Sequence, residues 1–284
     1  MDALTYITEK QYEIQYRRIE KELRQQKVAV KKPTAFLLGG QPGSGKTTLH
    51  TLIQRQMNNN VITIDNDRYK TYHPNYAELE KKYGKEVTQL VTPFSNRITE
   101  KLIELLSSES YNLIIEGTLR TIGIPIQTAK LLQTKGYMTN LYVMAVPKTI
   151  SYLSTLERYE DMYVSDPATA RSIFKSVHDE IVSKLPNNLD SLFRKSIFRD
   201  IRLYTRESEC IYSSKETPSK SPKSVITDNL EEKISKKQLE SAIKKLVKKM
   251  IDNQHTNTSE FQQLNKILKK LDSPSFKGTK ILEL

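Results

Sequence analysis

Eight residues near the front of the chain, Gly40-Gln41-Pro42-Gly43-Ser44-Gly45-Lys46-Thr47, have the types and spacing of a phosphate-binding loop, G-x-x-x-x-G-K-[ST]. Glycines at these positions let main-chain N–H groups converge on phosphate oxygens, and a helix starting behind them adds partial positive charge. Lys46 would reach the β- and γ-phosphates. The Thr47 hydroxyl would ligate Mg²⁺, with Thr48 beside it in the first helical turn. A glycine-rich turn can match such a pattern by chance, but the flanks argue against that here. Thr34–Leu38 reads as a buried strand and Thr48–Ile53 as the opening of a helix. The expected ligand is a nucleoside triphosphate. No Asn-Lys-x-Asp segment is present to read guanine, which favours ATP or a base-tolerant site.

Moving a phosphoryl group to an alcohol also requires a proton acceptor and cations. Two apolar runs, Val61–Asp65 and Asn112–Gly117, carry acids at their carboxyl ends, the edge where open α/β sheets bind ligands. Asp67 is the expected base: a carboxylate with an ordinary pKa near ~3.9 is ionised at neutral pH. It lies past the strand, where the loop can lean over an acceptor, whereas Asp65 is closer to the strand itself. Glu116 is expected in the same site, and solvated loop acids are the alternative for both strand ends. Arg158 and Arg171 flank Tyr159–Pro167, a segment with the character of a lid hinge. Converging on one phosphate, an arginine can be worth roughly 10³–10⁵ in rate. Surface salt bridges explain the pair equally well, since Glu157 and Asp161 stand beside Arg158. His50, His73, His178 and His255 lack metal-ligand spacing, and no nucleophilic triad is discernible.

Strands alternate with amphipathic helices, so the expected fold is α/β, a mainly parallel sheet flanked by helices. The strands are Thr34–Leu38, Val61–Asp65, Asn112–Gly117, Leu141–Val146, Asp200–Tyr204 and Cys210–Ser213. Helices are expected over Tyr76–Leu106 with a break at Pro93, and from Pro125 to Thr134 with Gly136 closing the end. Two more are expected over Thr149–Met162 and over Ala168–Leu185, the latter with Asp166 as N-cap and Pro167 in its first turn. The core is placed at residues 1–213, including an N-terminal helix and a lid at about 148–185. Residues 214–284 hold a linker, a basic helical region and a tail from Ser273 expected to be poorly ordered. The 284 residues carry a net charge of +12 and one cysteine, Cys210, which excludes an intrachain disulfide and suits a reducing cytoplasm. No membrane span or secretory leader is expected. The apolar positions Ile234, Leu239, Ile243, Leu246, Val247 and Met250 recur at helical spacing among lysines. Such a helix can serve a membrane surface or nucleic acid; packing on its own domain is the preferred reading.

Several segments together resemble the zeta toxin family of bacterial toxin–antitoxin systems: Thr34–Thr47, Val61–Asp67, Thr92–Glu100, Tyr111–Thr118, Pro125–Ala129 and Leu156–Glu160. The resemblance covers about residues 5–250 in matching order. It implies an ATP-dependent kinase that phosphorylates the 3′-hydroxyl of the amino sugar of UDP-N-acetylglucosamine, blocking peptidoglycan precursor synthesis. It makes Asp67 the base, Lys46 the phosphate lysine, and Arg158 and Arg171 the lid arginines. Thr47 and Glu116 would organise Mg²⁺, and Asp67, Glu100, Glu116, Arg120 and Thr128 would meet the sugar nucleotide. Where the family often has Gly-Arg after Glu-Gly-Thr, this chain has Leu119-Arg120, which puts the local backbone in question. The implied partner is a small helical antitoxin that inserts a helix near the nucleotide site, with two toxin chains flanking an antitoxin dimer. Two competing readings are a phosphotransferase for another alcohol, such as an antibiotic or a nucleic-acid end, and a nucleotide-dependent binding module without catalysis.

Overall fold

The computed structural model describes residues 2–167, 170 and 173–272. In chain order its elements are α1 (Glu9–Arg24), β1 (Thr34–Gly39), α2 (Thr47–Gln56), β2 (Ile62–Ile64), α3 (Asn66–Tyr69), α4 (Tyr76–Tyr83), α5 (Val87–Leu90) and α6 (Thr92–Ser108). They continue with β3 (Leu113–Ile115), α7 (Gly123–Thr134), β4 (Met138–Met144), α8 (Lys148–Ser165), α9 (Lys175–Arg194), β5 (Asp200–Tyr204), β6 (Cys210–Ser213), α10 (Pro222–Leu230), α11 (Lys236–Asp252) and α12 (Ser259–Asp272). Strand order across the six-stranded sheet is β2-β3-β1-β4-β5-β6. All neighbours run parallel except β5 and β6, which form an antiparallel edge. This is a P-loop kinase-like α/β architecture.

Side chains on β1 alternate between two apolar layers, as a pleated strand buried on both faces requires. Ala35 and Leu37 point into the larger core with Ile98, Leu102 and Leu185. Phe36 and Leu38 point the other way, onto Leu49 and Ile53 of α2. On α1, a Thr8–Gln11 capping box opens the helix, and Tyr12, Tyr16 and Ile19 form the buried stripe at i, i+4 and i+7. The third core joins Leu153 of α8 to Ile243, Leu246, Val247 and Met250 of α11 and to Leu264, Ile267 and Leu271 of α12. The apolar face of α11 is therefore covered by the protein's own helices.

Several boundaries differ from those expected. Pro93 sits in the first turn of α6, where its missing N–H costs nothing, and the break falls earlier, at Gly84 with φ +53°. Strand β4 begins at Met138, three residues before the expected start, because Pro33 and Thr34 continue its pairing. Asp166 does not cap a following helix. Its N–H donates to the Met162 carbonyl at 2.8 Å, so it closes α8 instead. The next helix starts at Lys175 and does not stop before Pro186 but runs through it to Arg194. Burial of Ile181, Val182, Leu185, Leu189 and Leu192 along one stripe outweighs a cost of about 3 kcal/mol for an interior proline. The expected helix start at Ala168 and the tail from Ser273 lie outside the described residues. Among the described residues no helix is long and apolar enough to cross a membrane.

Candidate active site

Three adjacent strands deliver the chemistry to one edge. The loop Gly40–Lys46 follows β1, Asp65 follows β2 and Glu116 follows β3. Gly40, Gly43 and Gly45 take φ values of +128°, +72° and +87°, which wrap the main chain into a cradle. Gly43 is the tightest point: a Cβ there would run into the Ser151 carbonyl oxygen and the Thr155 methyl on α8. Gln41 anchors the loop from below, its Nε2 donating to the Val146 carbonyl at 2.8 Å and to Ser151 Oγ at 3.2 Å. Ser151 Oγ meets Nε2 of the buried His178 at 2.9 Å, which links the loop onward to α9. Pro42 and Thr48 are half-buried, and Thr47 is exposed at the start of α2. Ser44 Oγ is buried without a partner. An orphaned hydroxyl inside a glycine cradle at a helix N-terminus fits a triphosphate.

Lys46 Nζ donates to the Gly40 carbonyl at 3.3 Å. Burial pulls its pKa below the ordinary lysine value, countered by Glu116, Asp67 and Asp65, while the charge of Arg158 adds to the depression. These four groups and the lysine thus share one electrostatic neighbourhood. Asp65 caps α3, accepting from the Asp67 N–H at 3.0 Å and the Arg68 N–H at 3.4 Å. Burial raises its pKa, and the nearby Glu116 and Asp67 raise it further. Asp67 projects outward with its side chain 70% exposed, paired with Lys70 at 2.7 Å. Its neighbour Asn66 ties α3 to α6: Asn66 Nδ2 donates to Asn96 Oδ1 and Thr99 Oγ1, and Ser95 Oγ donates to Asn66 Oδ1.

On α8, Ser154, Glu157, Arg158, Asp161, Met162 and Ser165 line an open cleft of about 530 Å³. Glu157 and Asp161 do not pair with Arg158. They bond Lys245 and Lys249 of α11, which removes the surface-salt-bridge explanation of Arg158. Arg171 lies outside the described residues. Arg120 is exposed and pairs with Glu180 of α9 at 2.5 Å; together with Lys184 it pulls that carboxyl down to about 2. Glu100 is exposed on α6 and Thr128 half-buried on α7. Among the described residues no hydrogen bond joins Glu100, Arg120 or Thr128 to the phosphate loop. Leu119 adopts φ +56°, the left-handed conformation in which glycine is at ease, and its buried side chain packs onto Gly39.

Two residues escaped the reading of the sequence. His50, one turn beyond Thr47, brings Nε2 onto the Glu116 carboxylate. Arg206, just past β5, lays its side chain along the loop: Nη2 donates to the Gly43 carbonyl and to Ser154 Oγ at 2.9 Å, while Nε is buried without a partner. Its place after a strand at the ligand-bearing edge was the available signal. Thr47 and Glu116 are suited to Mg²⁺, which takes oxygen ligands from one or two protein groups, substrate phosphates and water. Among the described residues no cluster of three or more His, Cys, Asp or Glu side chains forms a metal cage.

A family model described as zeta toxin matches residues 19–217. The Toxin zeta of Enterococcus hirae is 53% identical over 254 residues, 89% of each chain. That of Streptococcus agalactiae is 49% identical over 275 residues, 97% of this chain and 96% of the other. A solved structure of the PezAT chromosomal toxin–antitoxin system of Streptococcus pneumoniae superimposes with a TM-score of 0.78 at 35% identity, covering 90% of this chain and all of that one. With a family model matching more than half of the chain and relatives about 50% identical along most of it, the chain belongs to the zeta toxin family.

Proposed function

We propose that the chain is the toxin of a toxin–antitoxin pair and an ATP-dependent kinase for the 3′-hydroxyl of the amino sugar of UDP-N-acetylglucosamine. The observation that carries the kinase reading is the glycine cradle after β1, holding Lys46 and the buried unpartnered Ser44 hydroxyl, at the sheet edge where β2 and β3 end in Asp65 and Glu116. In the step we infer, the acceptor oxygen bonds to the γ-phosphorus as the bond from that phosphorus to the β,γ-bridging oxygen breaks. ADP leaves with the bond electrons, and the hydroxyl proton passes to the Asp67 carboxylate. Lys46 and the loop amides hold the β- and γ-phosphates, and Arg158 meets charge developing on the transferred group. Bound Mg²⁺, held through Thr47 and Glu116, would offset triphosphate charge. Arg171 is proposed as the second clamp, and Glu100, Arg120 and Thr128 as contacts to the sugar nucleotide.

The substrate assignment rests on the family resemblance, and so does a bacterial cytoplasmic setting, where peptidoglycan precursors are made. The similarity to a toxin–antitoxin structure supports an antitoxin as partner; that it is small and helical, with two toxin chains flanking an antitoxin dimer, rests on the family resemblance. Incubation with ATP, Mg²⁺ and UDP-N-acetylglucosamine, followed by mass spectrometry and ³¹P NMR, tests the reaction. A UDP-sugar bearing one additional phosphate on the amino sugar is expected. ADP release with the sugar nucleotide unchanged would overturn the substrate, and no turnover with any alcohol would favour a binding module.

A further inference from the structure

Around Arg158 the helix α8 carries three carboxylates, Glu157, Glu160 and Asp161; α11 holds the first and third, and the turn between α11 and α12 holds Glu160. Lys249 reaches Glu157 Oε1 at 2.7 Å and Asp161 Oδ1 at 2.6 Å, and Lys245 reaches Glu157 Oε1 at 2.6 Å. Glu160, its side chain 3% exposed, accepts from Asn253 Nδ2 at 2.7 Å and lies 2.8 Å from His255 Nδ1. The His255 ring sits between Tyr159 and Tyr163 of α8, with centroids 5.8 and 4.4 Å away.

On a helix an arginine pairs with acids three or four positions away, so Asp161 is placed to form a local ion pair with Arg158, whereas Glu157, the preceding residue, does not face it on α8. Among the described residues Arg158 forms none, although Glu157 and Asp161 line the same cleft. Apolar packing does not need these lysines, since Ile243, Leu246, Val247 and Met250 already bury the contact face of α11. Burial works to raise the Glu157 carboxyl, and the two ammonium groups outweigh it, holding its pKa below the ordinary value.

We propose that α11 is the positioning element of the phosphate-clamping arm: Lys249 occupies the Asp161 carboxylate that would otherwise capture Arg158, Lys245 and Lys249 together hold Glu157 beside it, and Arg158 is left facing the donor phosphates. The same pairing offsets two negative charges lining a cleft that must admit a polyanion. The role of Arg158 in this proposal rests on the kinase reading. Lys245 and Lys249 are positioning residues, acting through Glu157 and Asp161.

The test uses the full chain in three forms: wild type, K245Q/K249Q, and the latter combined with E157Q/D161N. The double variant should lose about tenfold in kcat and bind a non-hydrolysable ATP analogue severalfold more weakly, because Arg158 now pairs with the released Asp161 while Glu157 adds uncompensated negative charge to the cleft. Removing those acids in the quadruple variant should restore both quantities to within about threefold of wild type, a rescue that a merely structural brace would not show. In an Arg158→Ala background the lysine substitutions should change neither quantity further. Affinity for the ATP analogue needs no acceptor, so the positioning role is decided even if UDP-N-acetylglucosamine proves not to be the substrate. A quadruple variant as impaired as the double, with both melting like wild type, would overturn the proposal. So would undiminished lysine effects in the Arg158→Ala background.

Discussion

At Asp65 a carboxylate caps α3 through two main-chain N–H groups, yet burial and the neighbouring Glu116 and Asp67 push its pKa up. A carboxyl whose folded pKa lies above its unfolded value of 3.8 adds stability only in acid, and that contribution is lost as pH rises through the folded pKa. At neutral pH its charge is therefore a liability in the nucleotide-free chain. Asparagine accepts the same two hydrogen bonds without the charge. Asp65→Asn should raise stability at pH 7 by about 1 kcal/mol, a melting shift of about 2–4 °C, with the gain shrinking towards pH 4. Calorimetry at both pH values reads it; a lower melting temperature at pH 7 would show the charge to be structurally needed. Two residues on, Asp67 stands exposed, which suits a group that must meet an incoming hydroxyl. That division between neighbours was legible in sequence as position past the strand. The left-handed backbone of Leu119 was legible only as an oddity, because its compensation, packing onto Gly39, joins positions far apart in the chain.

Elements place these residues with contacts that local patterns reveal unevenly. The strands could be read because each is a short apolar run ending at a turn, and the phosphate loop because its glycines serve a geometry that few other sequences support. Helix ends were harder. Asp166 has the chemistry of an N-cap but closes α8, and Pro186 marks a plausible stop that tertiary burial overrides. The segment Thr92–Glu100 read as helix, but nothing in its periodicity shows that Ser95, Asn96 and Thr99 grip Asn66. Through that grip α6 holds α3, and α3 carries Asp67. Asn66→Ala should thus lower kcat by about tenfold while leaving ATP affinity near wild type, because misplacing a base costs chemistry rather than donor binding. Steady-state kinetics paired with calorimetric ATP titration separate the two. Equal loss in both would move Asn66 from positioning the base to building the nucleotide site.

Across the whole molecule, charge serves internal order as much as attraction of ligands. Lysines that suggested an anionic surface partner are partly spent on Glu157 and Asp161. Buried histidines add a dependence on pH. Burial holds His73 and His178 below the ordinary value of 6.5, so the unfolded chain binds protons that the folded chain refuses. Their contribution to stability is complete above pH 6.5 and declines as pH falls towards the folded pKa values, by up to about 2.7 kcal/mol per pH unit for the two. Urea midpoints should accordingly drop between pH 7 and pH 5.5; a flat profile would mean that neither ring is shielded. The central claim concerns one proton, and Asp67→Asn addresses it most directly, since the amide keeps the shape and cannot accept that proton. Transfer from ATP to UDP-N-acetylglucosamine should fall by at least about 10³-fold while calorimetry finds ATP bound as tightly as before. Turnover within a few fold of wild type would show that the Asp67 carboxylate is not the base.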